Sequence, residues 1–563
     1  MPRFPAYRPA VSGRHYMVSS GHWLASLAAA RVLQQGGNAI DAGVAAGLCT
    51  NVVQSDMTSF GGVAAIIIYL AREQRVVTIS GVGTWPQAVS IDLFQERYGG
   101  DMPLGVARCC VPAAPDAWLT ALEHFGTRSF AEVAADAITL AEQGFPMHAF
   151  MANTLREHQK EIAQWPSTAA IYLPQGRVPQ VGEPFYQKDL ARTLQRMVAA
   201  EAQQEGGREK KIRAARDFFY TGEIGKTMVE FCQQEGGFLT MEDMAAFQVE
   251  IEEPVTTTYR GYQVFACGPW CTGPVLLQML NLLELFDLPG LEHNSAAYMH
   301  LVTEAMKLAF ADRERYYGDP RFVAVPMDQL LSKAYAQERA ALIDMERAWP
   351  EMPPYGNPAS LAGSTGSTDL DTSALCVVDA EGNAFAATTS DTVYWTPVVP
   401  GLGIPISGRG GQSWLDPDHP SSVQPGKRPR LTPNPAIILR DGRLFAPLAS
   451  PGGDMQPQAM LQVFLNMVHF GLDPQEAISA PRFGTWSFPN SFYPHAYQPG
   501  DLKVENRVDP QTLSALRAKG HRLEVWPEWE WRAGGVVTIL VDQERGVLWG
   551  GADPRRENYA IGW

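Results

Sequence analysis

Near the middle of the chain, Asp371-Thr372 stands where two kinds of sequence meet. Ala359–Ser367 is rich in Gly, Ser and Thr, a composition that reads as a mobile linker. Residues 373–388 then read as a strand (Ser373–Val378), a Glu-Gly-Asn turn and a second strand (Ala384–Thr388). A threonine hydroxyl is a poor nucleophile by itself, and a lone Asp-Thr reads as an ordinary strand threonine. An N-terminal threonine differs, because its own α-amine titrates near roughly pH 7.7–8.0 and can act as its base. A linker that runs straight into a strand, far from either end of the chain, is not how a domain usually begins. The cysteines offer a second possible chemistry. The seven of them (Cys49, Cys109, Cys110, Cys232, Cys267, Cys271 and Cys376) form an odd, scattered set, unlike a secreted disulfide framework, so reduced thiols are expected. Cys267 and Cys271 are separated by three residues, and no second Cys/His pair stands at zinc-site spacing, so no metal site is expected.

The elements that must position these residues come from hydrophobic patterning. Ala25–Gln35 has apolar helical spacing and stops at Gly36-Gly37, and Asn38 and Asp41 can cap a second helix. Residues 63–70 and 76–83 read as paired buried strands around a turn at Arg72–Arg75. The centre, Pro112–Ile343, is helix-rich, with helices expected at Asp116–His124, Ala131–Gln143, Leu190–Glu205, Val275–Phe286 and Ala296–Tyr317. After Thr372 further strands are expected at Ala436–Leu439, Arg443–Pro447, Val536–Val541 and Val547–Gly550, with helices at Gln456–Phe470 and Gln511–Lys519. Strands at both ends of a helical middle imply shared sheets covered by helices.

Composition narrows the function. The chain has 563 residues, is 45% hydrophobic and can bury a large core. Its formal net charge of −15 repels phosphate backbones and anionic membrane surfaces, so nucleic acid is not an expected partner. The longest apolar run, Val63–Ala71, falls far short of the roughly 20 residues a membrane helix needs. The N-terminal stretch has basic residues without a following apolar segment, so a cytoplasmic protein is expected.

Eight stretches occur in one order: "LASLAAARVLQQGGNAIDAGVAA", "SFGGVAAIIIY", "EAMKLAFADRERYYGDP", "DTSALCVVDAEGNAFAAT", "GKRPRLTPNPAIIL", "SPGGDMQPQAMLQV", "APRF" and "GADPR". In order and spacing together they resemble the gamma-glutamyltranspeptidase family of N-terminal-nucleophile hydrolases, from about Tyr16 to Gly562. The resemblance implies an α+β fold of the αββα sandwich type and an inactive precursor that cleaves itself between Asp371 and Thr372. It implies a large subunit (residues 1–371) and a small subunit (372–563) forming one structural unit, with a dimer of such heterodimers left open. No cofactor is implied.

By the same resemblance Thr372 is the nucleophile, and Gly452 and Gly453 supply the backbone N–H groups of an oxyanion hole. Ser390 stands where the family keeps a second hydroxyl. The departures concern the groups that read a free amino-acid head group. Val82 replaces the arginine that grips the substrate α-carboxylate, and Gln412 replaces the aspartate that holds its α-ammonium. Arg409 aligns with an amide or acid, Thr392 with an asparagine, and Leu431-Thr432 with paired serines. A pocket for a zwitterion needs both signs of charge. Arg409 offers one planar carboxylate site, so the expected substrate is a small-molecule amide with a carboxylate on its acyl side and no required α-ammonium. As a plain residue, Arg409 would be a surface arginine in a Gly-rich loop, and Tyr394-Trp395 would be core filler. A gamma-glutamyltransferase or glutathione hydrolase, and an uncleaved binding homologue, stay open as alternatives.

Overall fold

Two seven-stranded sheets form the centre of the molecule. The computed structural model describes residues 6–354 and 371–563, so the Ala359–Ser367 linker expectation lies outside the described residues. One sheet runs, edge to edge, through Tyr559–Gly562, Met17–Ser20, Ser373–Val378, Ala384–Ser390, Val63–Leu70, Arg75–Gly81 and Ile251–Glu252. The other runs through Val11–Gly13, Val547–Ala552, Val537–Asp542, Arg443–Ala449, Ala436–Arg440, Tyr262–Ala266 and Val255–Tyr259. Both sheets draw strands from before and after Thr372.

Strand alternation sorts the side chains into layers. In Ser373–Val378, Ala374, Cys376 and Val378 pack between the sheets with Ile67, Ala386, Ile437 and Ile539. Leu375 and Val377 of the same strand point the other way, into a core shared with Trp23–Gln34, Ala39–Val53 and Ala114–Phe125. The outer face of the second sheet, through Val264, Ala436, Ile438 and Leu448, packs on the helices Gly273–Leu283, Ala296–Tyr316 and Met455–Phe470. The layers are thus helix, sheet, sheet, helix, the expected αββα sandwich.

The expected elements form close to their expected bounds. Trp23–Gln34 ends before Gly36, whose φ of +83° is left-handed backbone that suits glycine, and Asn38 with Asp41 makes a capping box for Ala39–Val53. The helix-rich centre also contains a hairpin, Val255–Tyr259 with Tyr262–Ala266, that completes one sheet. Met17–Ser20 was not expected as a strand either, yet it pairs directly with Leu375–Val378. Each is short or only partly alternating, so tertiary pairing rather than local pattern makes it a strand. No helix among the described residues is long and apolar enough to cross a membrane, and all seven cysteines are buried and free.

Candidate active site

Thr372 is the residue before the central strand Ser373–Val378, and Ser390 ends the adjacent strand Ala384–Ser390. The register pairs Ser373 with Thr389, so the two hydroxyl-bearing residues come out side by side at one end of the sheet. Their oxygens are 2.6 Å apart, a hydrogen bond, and both residues are buried. Ser390 is therefore not a solvated residue at a strand end.

The backbone at this point is constrained. Thr372 has φ +118° and Asp391 has φ +121°, values that cost a side-chain-bearing residue about 1–3 kcal/mol and persist only when the surroundings impose them. The Thr372 N–H donates to the Met57 carbonyl at 3.1 Å, and its carbonyl accepts from Arg556 Nη1 at 3.0 Å. Behind the loop, Gly62 lies so close that a Cβ there would fall 2.2 Å from the Ser390 carbonyl oxygen and 2.6 Å from Asp391 Cβ.

Arg409, on the short turn Arg409–Gln412, is fully buried, which rules out the alternative of a surface arginine. Its Nη2 donates to the Asp371 carboxylate and to the Ser390 hydroxyl, and its Nε lies 3.8 Å from Asp391 Oδ2. The rings of Trp395 and Phe492 lie 5.2 Å and 5.7 Å from the guanidinium. Trp395 is core, as expected, but it is also a wall of this charged site. Tyr394 is buried and stacks on the His158 ring at 3.8 Å.

Two carboxylates share the one guanidinium. Burial raises the Asp371 carboxyl above its ordinary value, against the pull of Arg409. Asp391 is pushed up to about 6, by burial first and also by the negative charge of Asp371, although Arg409 opposes the shift. Ser407 donates to Asp391 at 2.7 Å, and the Asp391 N–H donates to Asp371 Oδ2 at 3.2 Å.

Gly452 and Gly453 have φ +123° and +56°, the left-handed backbone of the turn that leads into Met455–Phe470. A Cβ on Gly452 would lie 3.2 Å from Gly534 Cα, and one on Gly535 would lie 2.8 Å from Arg556 Cδ. Gly452 thus packs against Gly534, and the next residue, Gly535, lies against Arg556, which donates to the Thr372 carbonyl. Gln412 donates to Thr432 Oγ1 at 3.3 Å, and the Thr432 carbonyl accepts from Thr272 at 2.8 Å. Thr392 is buried and accepts from the Tyr394 N–H at 3.2 Å. None of these three is hydrogen-bonded to Thr372 among the described residues. Val82 is buried in the core beside the Arg75–Gly81 strand.

Sequence reading missed Asp391 and Arg556. Asp391 directly follows Ser390, and Arg556 directly follows "GADPR", so adjacency to matched residues was the available signal. Among the described residues, two groups of side chains have metal-ligand types, His22/His148/Glu557 and His300/Glu304/His521. In the second, the two ring nitrogens of His300 bond His521 and the Asp344 carbonyl, each at 2.8 Å, and Glu304 pairs with Lys307. In the first, His148 sits 2.5 Å from Glu557 and bonds the Val53 carbonyl at 2.8 Å. Neither contains a residue of the Thr372 site.

The arrangement presents a buried hydroxyl pair beside a buried cation. The sequence model of the family described as Gamma-glutamyltranspeptidase matches residues 25–563. The Glutathione hydrolase-like YwrD proenzyme of Bacillus subtilis (strain 168) is 33% identical, covering 98% of this chain and 99% of its own. The Acylase ACY 1 proenzyme of Pseudomonas sp. (strain SE83) is 33% identical, over 98% of this chain and 94% of its own. Among solved structures, cephalosporin acylase from Bacillus halodurans superposes with a TM-score of 0.87 at 29% identity, covering 100% of this chain and 98% of its own. The chain belongs to the gamma-glutamyltranspeptidase family of amide-bond hydrolases.

Proposed function

We propose that this protein is a self-processing amide hydrolase with Thr372 as nucleophile, acting on amides whose acyl side carries a carboxylate. The observation that carries the reading is the 2.6 Å contact between the Thr372 and Ser390 hydroxyls beside buried Arg409. In the continuous chain the Thr372 hydroxyl attacks the Asp371 carbonyl, the C–N bond breaks, and water hydrolyses the resulting ester. The positive φ at Thr372 supports this step, because strain at the scissile junction is released on cleavage. The products are a chain of residues 1–371 and one of 563 − 371 = 192 residues that carries a free Thr372 amine.

In the processed enzyme that amine takes the proton of the Thr372 hydroxyl as it attacks substrate, and Ser390 orients the hydroxyl. Gly452 and Gly453 are proposed as oxyanion donors; one such donor is worth about 2.7–4 kcal/mol. Arg409 binds the substrate carboxylate by charge-assisted hydrogen bonds. Thr392, Gln412 and Thr432 shape the remainder of the pocket, and Val82 and Gln412 supply no charge for an amino-acid head group. The cytoplasm is the proposed compartment, supported by seven free, buried thiols.

The second reading, a gamma-glutamyltransferase or glutathione hydrolase, is favoured by the glutathione hydrolase-like relative. Kinetics on a dicarboxylic monoamide and on gamma-glutamyl-p-nitroanilide, with and without glycylglycine, separate the two. Preference for glutathione or the gamma-glutamyl amide by tenfold, about 1.4 kcal/mol in transition-state binding, replaces the first reading with the second.

A further inference from the structure

Before cleavage, the acyl group presented to the Thr372 hydroxyl belongs to the protein itself. The carbonyl that must be attacked is that of Asp371, and the Asp371 side chain ends on Arg409. From the carbonyl carbon the path runs through Cα and Cβ to the carboxylate carbon. Four carbons therefore lie in line, with an acyl carbon at one end and a carboxylate at the other. This is the skeleton of a succinyl group, held between a hydroxyl pair and a buried guanidinium.

We propose that, before cleavage, the Asp371 side chain occupies what becomes the acyl subsite of the processed enzyme, and that the preferred acyl group is a four-carbon dicarboxylic one. This rests on the amide-hydrolase reading above and adds the length of the chain. Three features support it. Arg409 is fully buried, with Nε and Nη1 without hydrogen-bond partners among the described residues while Nη2 serves both Asp371 and Ser390. After cleavage Asp371 becomes a chain end, and its departure leaves a buried cation facing Asp391 at 3.8 Å, a carboxyl that burial already biases toward its neutral form. An anion from substrate restores the lost partner.

The third feature is spacing. Ser390 Oγ touches both the nucleophile's hydroxyl and Arg409, so the distance from attacking oxygen to guanidinium is fixed by one side chain. Trp395 and Phe492 flank the guanidinium and limit sideways adjustment. An acyl chain one carbon shorter leaves its carboxylate short of Arg409. One carbon longer must fold to fit the same span.

The chemistry balances without a co-reactant other than water. Thr372 Oγ bonds to the acyl carbon, the C–N bond breaks, and the amine leaves with the proton passed through the Thr372 α-amine. Water oxygen then bonds to the acyl carbon, the C–Oγ bond breaks, and the free diacid departs as the hydroxyl regains its hydrogen.

The test is a length series on processed wild-type enzyme: the p-nitroanilide monoamides of oxalic, malonic, succinic, glutaric and adipic acids. The expected result is a kcat/KM maximum at the succinyl compound, tenfold or more above malonyl and glutaryl, with succinate the tightest competitive inhibitor among the free diacids. A maximum at any other length, or a flat series, overturns the four-carbon assignment while leaving the amide-hydrolase reading standing. Turnover of none of the five by a fully processed protein overturns that reading and the assignment together. A second arm needs no substrate. Asp371→Glu lengthens the internal acyl group by one carbon, so its self-cleavage should slow at least tenfold. Self-cleavage at the wild-type rate overturns the shared subsite.

Discussion

The Thr372 and Ser390 hydroxyls lie 2.6 Å apart because the strands that carry them pair in register, Ser373 opposite Thr389. Arg409 then bonds Ser390 from the other side, so one serine hydroxyl bridges the Thr372 hydroxyl and the cation.

Ser390→Ala removes the bridge without leaving a cavity of consequence. A buried hydrogen bond contributes about 1 kcal/mol, so self-cleavage or turnover should fall roughly fivefold or more while the melting temperature changes little. Rates unchanged from wild type remove Ser390 from the site.

Thr372→Ala should remain a single chain of 563 residues on a denaturing gel. Wild type should yield a small chain whose N-terminal sequence is Thr-Ser-Ala-Leu-Cys, and Thr372→Ser should retain cleavage at a lower rate. A wild-type chain that stays intact and still hydrolyses amides would falsify the N-terminal nucleophile.

Gly62→Ala places a methyl group 2.2 Å from the Ser390 carbonyl oxygen. That contact is with backbone, so the Ser390–Asp391 segment must shift, and cleavage should be strongly impaired in a protein that still folds. Cleavage kinetics alongside circular dichroism separate loss of geometry from loss of fold.

Asp56 gives a pH signature. Burial pushes its carboxyl up to about 6, against the pull of His148. An unfolded aspartate has a pKa of about 3.9. Between those values the unfolded chain gives up the proton while the folded chain keeps it. The native state is therefore penalised progressively as pH rises from about 4 to 6, and by a constant amount above that. Asp56→Asn removes the penalty, so its melting temperature relative to wild type should be more favourable at pH 7.5 than at pH 4.5. The opposite ordering contradicts the raised value.

Several features are legible in the sequence because they are local. Gly36-Gly37 ends one helix, Asn38 and Asp41 cap the next, and the alternation in Ser373–Val378 gives a strand whose two faces are both buried. Ordered motifs point to the family and bring Thr372, Ser390 and the Gly452-Gly453 turn to notice. They also single out Arg409, as a charge in a Gly-rich loop that could bind a carboxylate. Tertiary structure decides what that charge meets. The guanidinium reaches Asp371, 38 residues away in sequence, and Ser390, 19 away, and a hydrogen-bond partner at such separation leaves no local pattern. Met17–Ser20 becomes a strand only because Leu375–Val378 offers an edge, and Arg556 holds the Thr372 carbonyl from 184 residues away. Local patterning set most of the helices, strands and turns, whereas long-range pairing across two shared sheets placed one cation against two carboxylates and a hydroxyl pair, because only the folded chain excludes the water that would otherwise separate them.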